Sequence, residues 1–102
     1  MRIIVLFDLP TNTKNERKIA SAFRKFLEKD GFQMLQYSIY VRLCNGLDCV
    51  KKHIDRVEKA TPKKGSVRSL VVTEKQYASM YVHVGSKKWF EEHKSEEQLT
   101  IF

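Results

Sequence analysis

The chain has 102 residues, 42% hydrophobic and 30% charged, with 19 Lys and Arg against 12 Asp and Glu and a net charge of +7. That length holds one domain and one core, with no room for a deep cavity between two lobes, and the composition is that of a globular chain. No apolar run approaches the roughly 20 residues that span a bilayer, and the stretch Ile3 to Phe7 is too short for a signal-peptide core, so a cytoplasmic protein with no membrane partner is expected. The positive charge is uneven: residues 1–75 carry 16 basic and 8 acidic side chains, and residues 76–102 carry 3 and 4. A basic body suits a polyanion such as nucleic acid, although a plain solvated surface has the same composition.

Arg2 to Asp8 reads as a strand, β-branched and aromatic and apolar on both faces, hence central in a sheet; Leu9-Pro10 ends it. Thr13-Lys-Asn-Glu16 is a capping box that opens a helix with Ile19, Phe23, Phe26 and Leu27 inward, and Asp30-Gly31 stops it. Its outer face carries Lys14, Arg17, Lys18, Arg24 and Lys25, a solvated face or a phosphate-facing one. Phe32 to Leu43 alternates; twelve residues is long for one strand and predicts a bend near Gln36 to Ser38 or two pieces. Leu35, Tyr37, Ile39, Val41 and Leu43 fall on one side. Met34, Gln36, Ser38, Tyr40 and Arg42 fall on the other, a large, polar face that leans towards a partner polypeptide.

Asn45 is placed to cap a second helix with the stripe Leu47, Val50, Ile54 and Val57, ending at Thr61-Pro62. Lys63-Lys64-Gly65 is a basic turn, Val67 to Thr73 a strand and Tyr81 to Val84 a shorter strand. A charged segment around Trp89-Phe90 and an apolar end, Leu99 to Phe102, follow. Both helices can cover one face of the sheet, and a second copy stacked sheet on sheet would hide the other.

Few residues offer chemistry. Cys44 and Cys49 lack a second pair, so buried thiols are expected rather than zinc, even with His53 one turn away, and a disulfide is not expected in a reducing compartment. His53, His83 and His93 read as structural or solvated. Asp8 stands at the carboxyl end of a central strand, where sheets place ligands, or it accepts backbone N–H groups in a turn. One carboxylate is a poor Mg²⁺ site; a dimer axis near Asp8 would supply a second.

The opening strand ending Phe7-Asp8-Leu9-Pro10, then Phe23-Arg-Lys-Phe26-Leu27, Gly31-Phe32-Gln-Met-Leu-Gln36-Tyr-Ser38-Ile-Tyr40, Gly65-Ser-Val-Arg68-Ser-Leu70 and Val72-Thr-Glu-Lys-Gln76-Tyr have an order and spacing that resemble the smaller of the two core CRISPR adaptation proteins, the Cas-two family, in the form found in Cas9-type (type II) systems. The resemblance covers the chain to about Gly85. It implies an α+β fold, a ferredoxin-like βαββαβ sandwich over residues 1–85, with a tail, 86–102, whose strand joins a neighbouring subunit. It also implies a homodimer through the sheet faces that bridges two dimers of the larger integrase protein and holds double-stranded DNA during spacer acquisition.

The family is also described as metal-dependent endonucleases of RNA or DNA. By resemblance Asp8 is the catalytic residue and the ligand of Mg²⁺ (or Mn²⁺), shared across the dimer axis. From sign and position, Lys14, Arg17, Lys18, Arg24, Lys25, Arg42, Lys63, Lys64 and Arg68 are the candidates for nucleic-acid contacts, with Ser38 or Arg42 lining the groove. Trp89, Phe90, Leu99, Ile101 and Phe102 are the candidates for partner docking by strand addition, against edge covering within the chain. The favoured reading is a scaffold whose catalysis belongs to the integrase partner, with nuclease activity as a family property. A stand-alone toxin-type endoribonuclease on the same fold is the alternative.

Overall fold

The computed structural model describes residues 1–85 of the chain. Its contacts divide the chain into two compact units, Met1–Val72 and Thr73–Phe102. The first runs β1 (Arg2–Asp8), α1 (Lys14–Lys29), β2 (Gln33–Gln36), β3 (Ile39–Leu43), α2 (Leu47–Ala60) and β4 (Ser66–Val72). The sheet order is β2-β3-β1-β4 with every neighbouring pair antiparallel, the ferredoxin-like βαββαβ arrangement expected. In the second unit, α3 (Glu74–Ala78) is the one regular element among the described residues.

β1 is central because it is apolar on both faces, and it pairs along both edges. Val5 lies opposite Tyr40 and Ser69; Phe7 lies opposite Val67 and Asp8 opposite Ser66. Ile3, Val5 and Phe7 face the helices and form the core with Phe23, Leu27, Phe32, Tyr40, Cys44 and Val57. Phe7 meets Phe23 edge to face at 5.1 Å and stacks on Tyr40 at 5.8 Å, geometries that aromatic quadrupoles favour.

The long segment from Phe32 is two strands joined at Tyr37-Ser38, where Ser38 has a left-handed φ of 65°. The face expected to meet a partner is the inner one. Tyr40 is buried on Phe7 and Met34 packs against the core, while Ile39, Val41 and Leu43 point the other way. The register Val5 to Tyr40 decides this, because one position of pairing selects the face for a whole strand. The outer sheet face is thus the aliphatic one: Ile4 and Val41 are buried, and Leu43 and Leu70 are exposed.

α1 begins with the expected capping box, in which Thr13 Oγ1 accepts from the Glu16 N–H at 3.1 Å and Glu16 Oε1 accepts from the Thr13 N–H at 3.0 Å. It ends in a Schellman turn: Phe32 N–H reaches the Leu27 carbonyl, Gly31 N–H reaches that of Glu28, and Gly31 takes φ +90°. Ala20 faces inward with Phe23 and Leu27, whereas Ile19, expected in the apolar stripe, is 43% exposed.

α2 departs further from expectation. Its N-cap is Gly46, without a side-chain hydrogen bond, rather than Asn45, and Leu47 is exposed at the first turn instead of joining the stripe. The structure joins Cys44 and Cys49 in a disulfide, against the expectation of free thiols. Helix start and strand end approach there with Cα atoms 5.5 Å apart, within disulfide range, so the covalent link ties the first turn of α2 to β3 where no side chain caps it. Met1 closes the same corner: its ammonium donates to the Cys44 carbonyl at 3.1 Å, and Cys44 N–H donates to the Met1 carbonyl at 2.8 Å.

The segment Tyr81 to Val84 is not a strand. Just before it, the Thr73-x-x-Gln76 capping box starts α3, a local signal that went unread. The predicted tail strand lies outside the described residues.

One polar latch ties α1 to α2. Asp30 Oδ2 meets His53 Nδ1 at 2.7 Å, and Arg56 Nη1 donates to Asp30 Oδ1 at 2.8 Å, with the Asp30 and His53 side chains both buried. Burial acts to raise the Asp30 pKa, but the hydrogen bonds and charges of His53 and Arg56 outweigh it and hold the carboxyl below its ordinary 3.8. A carboxyl depressed in the folded state adds stability that is full above pH 3.8 and is lost as pH falls through the lower folded value. Asp30→Asn is therefore expected to cost about 2 kcal/mol at neutral pH, because it leaves a buried pair broken, and to flatten the acid limb of the melting-temperature profile. Thermal melts of both proteins across pH 2.5 to 7 (roughly the carboxylate range) check both statements.

Candidate functional site at the end of the central strand

Asp8 is the last residue of β1, and its side chain is exposed. Three neighbouring segments position it. On one side Phe7 N–H donates to the Ser38 carbonyl at 3.1 Å, which brings the β2–β3 turn against the strand end. On the other side Asp8 pairs with Ser66 at the start of β4. Before Ser66, Gly65 has φ +101°, and a Cβ there would stand 2.7 Å from the Asp8 carbonyl oxygen and 2.9 Å from a Leu9 methyl. Only glycine fits that approach, so the basic turn of the sequence doubles as the support of the strand end.

The result is an open depression of about 330 Å³ lined by Leu6, Phe7, Asp8, Tyr37, Ser38, Ile39, Ser66 and Arg68. Arg24 of α1 reaches this mouth. Its guanidinium lies 4.2 Å from the Tyr37 ring centroid and 5.1 Å from that of Phe7, and Nη2 donates to Ser38 Oγ at 3.3 Å. Arg24 is half-buried and engaged with its own chain, a cation held in place rather than a mobile one.

The remaining candidates are spread out. Lys14, Lys18 and Lys25 are exposed on α1, and Arg17 donates to the Thr11 and Asn12 carbonyls, bracing the loop after Pro10. Lys63 and Lys64 border a second groove, of about 300 Å³, with Leu9, Pro10, Ile19 and Pro62. Arg42 lies opposite Ile3, near the far end of β1 from Asp8, where it packs on Gly31 and donates to the Leu43 carbonyl. The structure thus brings Asp8, Arg24, Ser38 and Arg68 to one mouth and leaves Arg42 away from it. Trp89, Phe90, Leu99, Ile101 and Phe102 lie outside the described residues. Sequence reading did not single out Tyr37 and Ser66 as site residues, although both fall within the stretches that carry the resemblance; the turn between two strands was the available signal for the first.

Among the described residues no group of three His, Cys, Asp or Glu side chains is placed to hold a metal ion. Among the described residues Asp8 is the one carboxylate lining this mouth. Mg²⁺ is commonly held by one or two carboxylates with water and substrate phosphate, so this donor set suits an open site rather than a closed cage.

A four-stranded antiparallel sheet under two helices, with an exposed aspartate in a basic mouth at the end of a central strand, defines a small ferredoxin-like α+β domain. The model of the family CRISPR associated protein Cas2 matches residues 1–80, and the chain belongs to that family. Curated relatives described as CRISPR-associated endoribonuclease Cas2 agree with it. The Campylobacter jejuni protein is 44% identical over 102 residues, all of this chain and 71% of the relative. The Acidovorax ebreus protein is 44% identical over the full length of both chains. The crystal structure of Streptococcus pyogenes Cas2 at pH 6.5 has the same fold, with TM-score 0.61 and 23% identity over 83% of this chain and 100% of that one.

The Gly65 contact yields an expected outcome. Gly65→Ala should lower stability by about 2 kcal/mol, since it adds left-handed strain and a collision with the Asp8 backbone. Chemical denaturation checks this; an unchanged midpoint would show that the strand end shifts freely to admit a side chain.

Proposed function

We propose that the chain acts in CRISPR adaptation as a dimeric scaffold for double-stranded DNA, and that its Asp8 mouth is a Mg²⁺-dependent phosphodiesterase site for nucleic acid. The observation that carries the second part is the exposed Asp8 carboxylate held at the strand end between Arg68, Ser66 and Ser38. The description of the relatives as endoribonucleases supports cleavage of RNA by the same kind of site. It also gives no favour to a toxin-type enzyme working outside a CRISPR setting.

The scaffold role rests on two further observations. Exposed Lys14, Lys18, Lys25, Lys63 and Lys64 give a cationic surface that binds phosphates without reading sequence. The outer sheet face, with Leu43 and Leu70 exposed, offers an aliphatic surface for a second copy. Stacked sheet to sheet, two copies would present two Asp8 mouths and two cationic surfaces to one duplex and to the dimers of the larger integrase protein at either end.

At the site itself, Asp8 residues from two copies would hold Mg²⁺ (or Mn²⁺), whose contribution is to polarise a phosphodiester oxygen. Arg68 supplies charge against the phosphate. Ser38 Oγ accepts from Arg24, which leaves its own O–H free to donate to a phosphate oxygen. Among the described residues the lining offers no histidine, glutamate or lysine as a general base, and we expect slow cleavage.

Asp8→Asn is expected to reduce Mg²⁺-dependent cleavage of a single-stranded RNA by at least about 100-fold. It should leave duplex affinity and assembly with the integrase partner unchanged by light scattering. Retained cleavage would remove Asp8 from the chemistry, and loss of assembly would make the carboxylate a structural part of the scaffold.

A further inference from the structure

We propose that the Cys44–Cys49 pair is a reversible redox latch, opened by a small thiol at the Cys49 sulfur, and that its reduction frees the first turn of α2 while the rest of the domain stays in place. Cys44 is 1% exposed, whereas Cys49 is half-buried at the edge of the core. Only Asn45, Gly46, Leu47 and Asp48 lie between them. Closing so short a loop constrains the unfolded chain less than a long-range bridge would, so the link acts on its own corner more than on the whole fold.

The two ends of the link are held differently. Cys44 keeps its place without its sulfur: its N–H donates to the Met1 carbonyl at 2.8 Å, its carbonyl accepts from the Met1 ammonium at 3.1 Å, and the preceding Leu43 pairs with Arg2. At the other end, Gly46 caps α2 without a side-chain hydrogen bond, and Leu47 is 70% exposed. The helix is anchored a turn later, by His53 against Asp30 at 2.7 Å and by Val57 in the core. Breaking the link therefore leaves Cys44 where it is and releases the turn from Gly46 to Val50, whose closing bond runs from Val50 N–H to the Gly46 carbonyl at 3.1 Å.

Access decides where exchange enters, because the attacking thiolate must reach one of the two sulfurs. Cys44 is shut off and Cys49 is reachable. A small thiolate bonds to Cys49 Sγ as the bond between the two cysteines breaks, and Cys44 leaves as a thiolate and takes up a proton. A second small thiolate attacks the first one's sulfur in this mixed disulfide, and Cys49 leaves and is protonated in turn. The two small thiols thus supply two electrons and two protons and end as one disulfide, which is the oxidant for the reverse reaction. In that direction the attacking thiolate is Cys49, in the first turn of a helix without a side-chain cap, where a negative charge is favoured. The corner lies at the opposite end of β1 from Asp8, so the mouth keeps its shape in both states.

The test equilibrates the isotope-labelled full chain with mixtures of glutathione and glutathione disulfide, reads the thiols by alkylation and mass spectrometry, and follows amide hydrogen exchange by NMR. The pair should pass between dithiol and disulfide across the series. Exchange at the Val50 amide should be about 10-fold faster in the reduced protein, with Phe7 and Val57 unchanged. In glutathione disulfide, Cys44→Ala should take up glutathione on Cys49, whereas Cys49→Ser should take up none on Cys44. A disulfide that persists in excess glutathione, thiols that stay unpaired in glutathione disulfide, glutathione on Cys44, or equal Val50 exchange in both states would each overturn the proposal. The exchange comparison uses the wild type in two redox states, so a variant that fails to fold does not obscure it.

Discussion

Strand β1 is hydrogen-bonded along both edges and buries Ile3, Val5 and Phe7 beneath two helices, and the site depends on that constraint. A strand held in this way cannot slide by one residue without turning its core side chains outward. Its last residue, Asp8, therefore has a fixed place. The exposed carboxylate of that residue is positioned from behind, by the core packing of Ile3, Val5 and Phe7, and from the side, by the glycine turn against its carbonyl. Rigid placement of this kind is what a site needs when it has few chemical groups of its own.

Arg24 shows how the same frame divides its charges between structure and contact. Its sign alone made it one of several cations on α1, yet its guanidinium is committed to Tyr37, Phe7 and Ser38. Lys14, Lys18 and Lys25 on the same helix remain exposed. Arg17, although exposed, is tied to two loop carbonyls. Of the basic excess on residues 1–75, part holds the mouth together and part stays exposed to solvent. At the other end of the sheet Asp30, His53 and Arg56 lock the helices over β1, and the Cys44–Cys49 link fixes the start of α2.

Much of this frame was legible in the sequence where the signal is local. The Thr13–Glu16 box and Asp30-Gly31 mark both ends of α1, and the apolar run of β1 marks the central strand. What escaped needs information from distant residues. The inner face of β3 is decided by its register with β1, so alternation alone assigned Tyr40 to the wrong side. Gly46 rather than Asn45 caps α2, and a covalent link between Cys44 and Cys49 spans the same turn, which spacing alone does not reveal. The Thr73–Gln76 box was visible but not read, and the short alternation at Tyr81 to Val84 does not form a strand. For the site, Asp8 stood out by its position at a strand end. Tyr37 gained meaning only once Arg24 was seen against its ring.

The central proposal is that the Asp8 carboxylate of this chain holds a divalent metal ion. It is tested most directly by titrating Mn²⁺ into the isotope-labelled protein and following paramagnetic broadening of backbone amides. The account predicts that Asp8, Leu9, Ser38 and Ser66 broaden first and that Asp8→Asn removes the effect while the rest of the spectrum is unchanged. Broadening centred elsewhere, or equal in the variant, would contradict it.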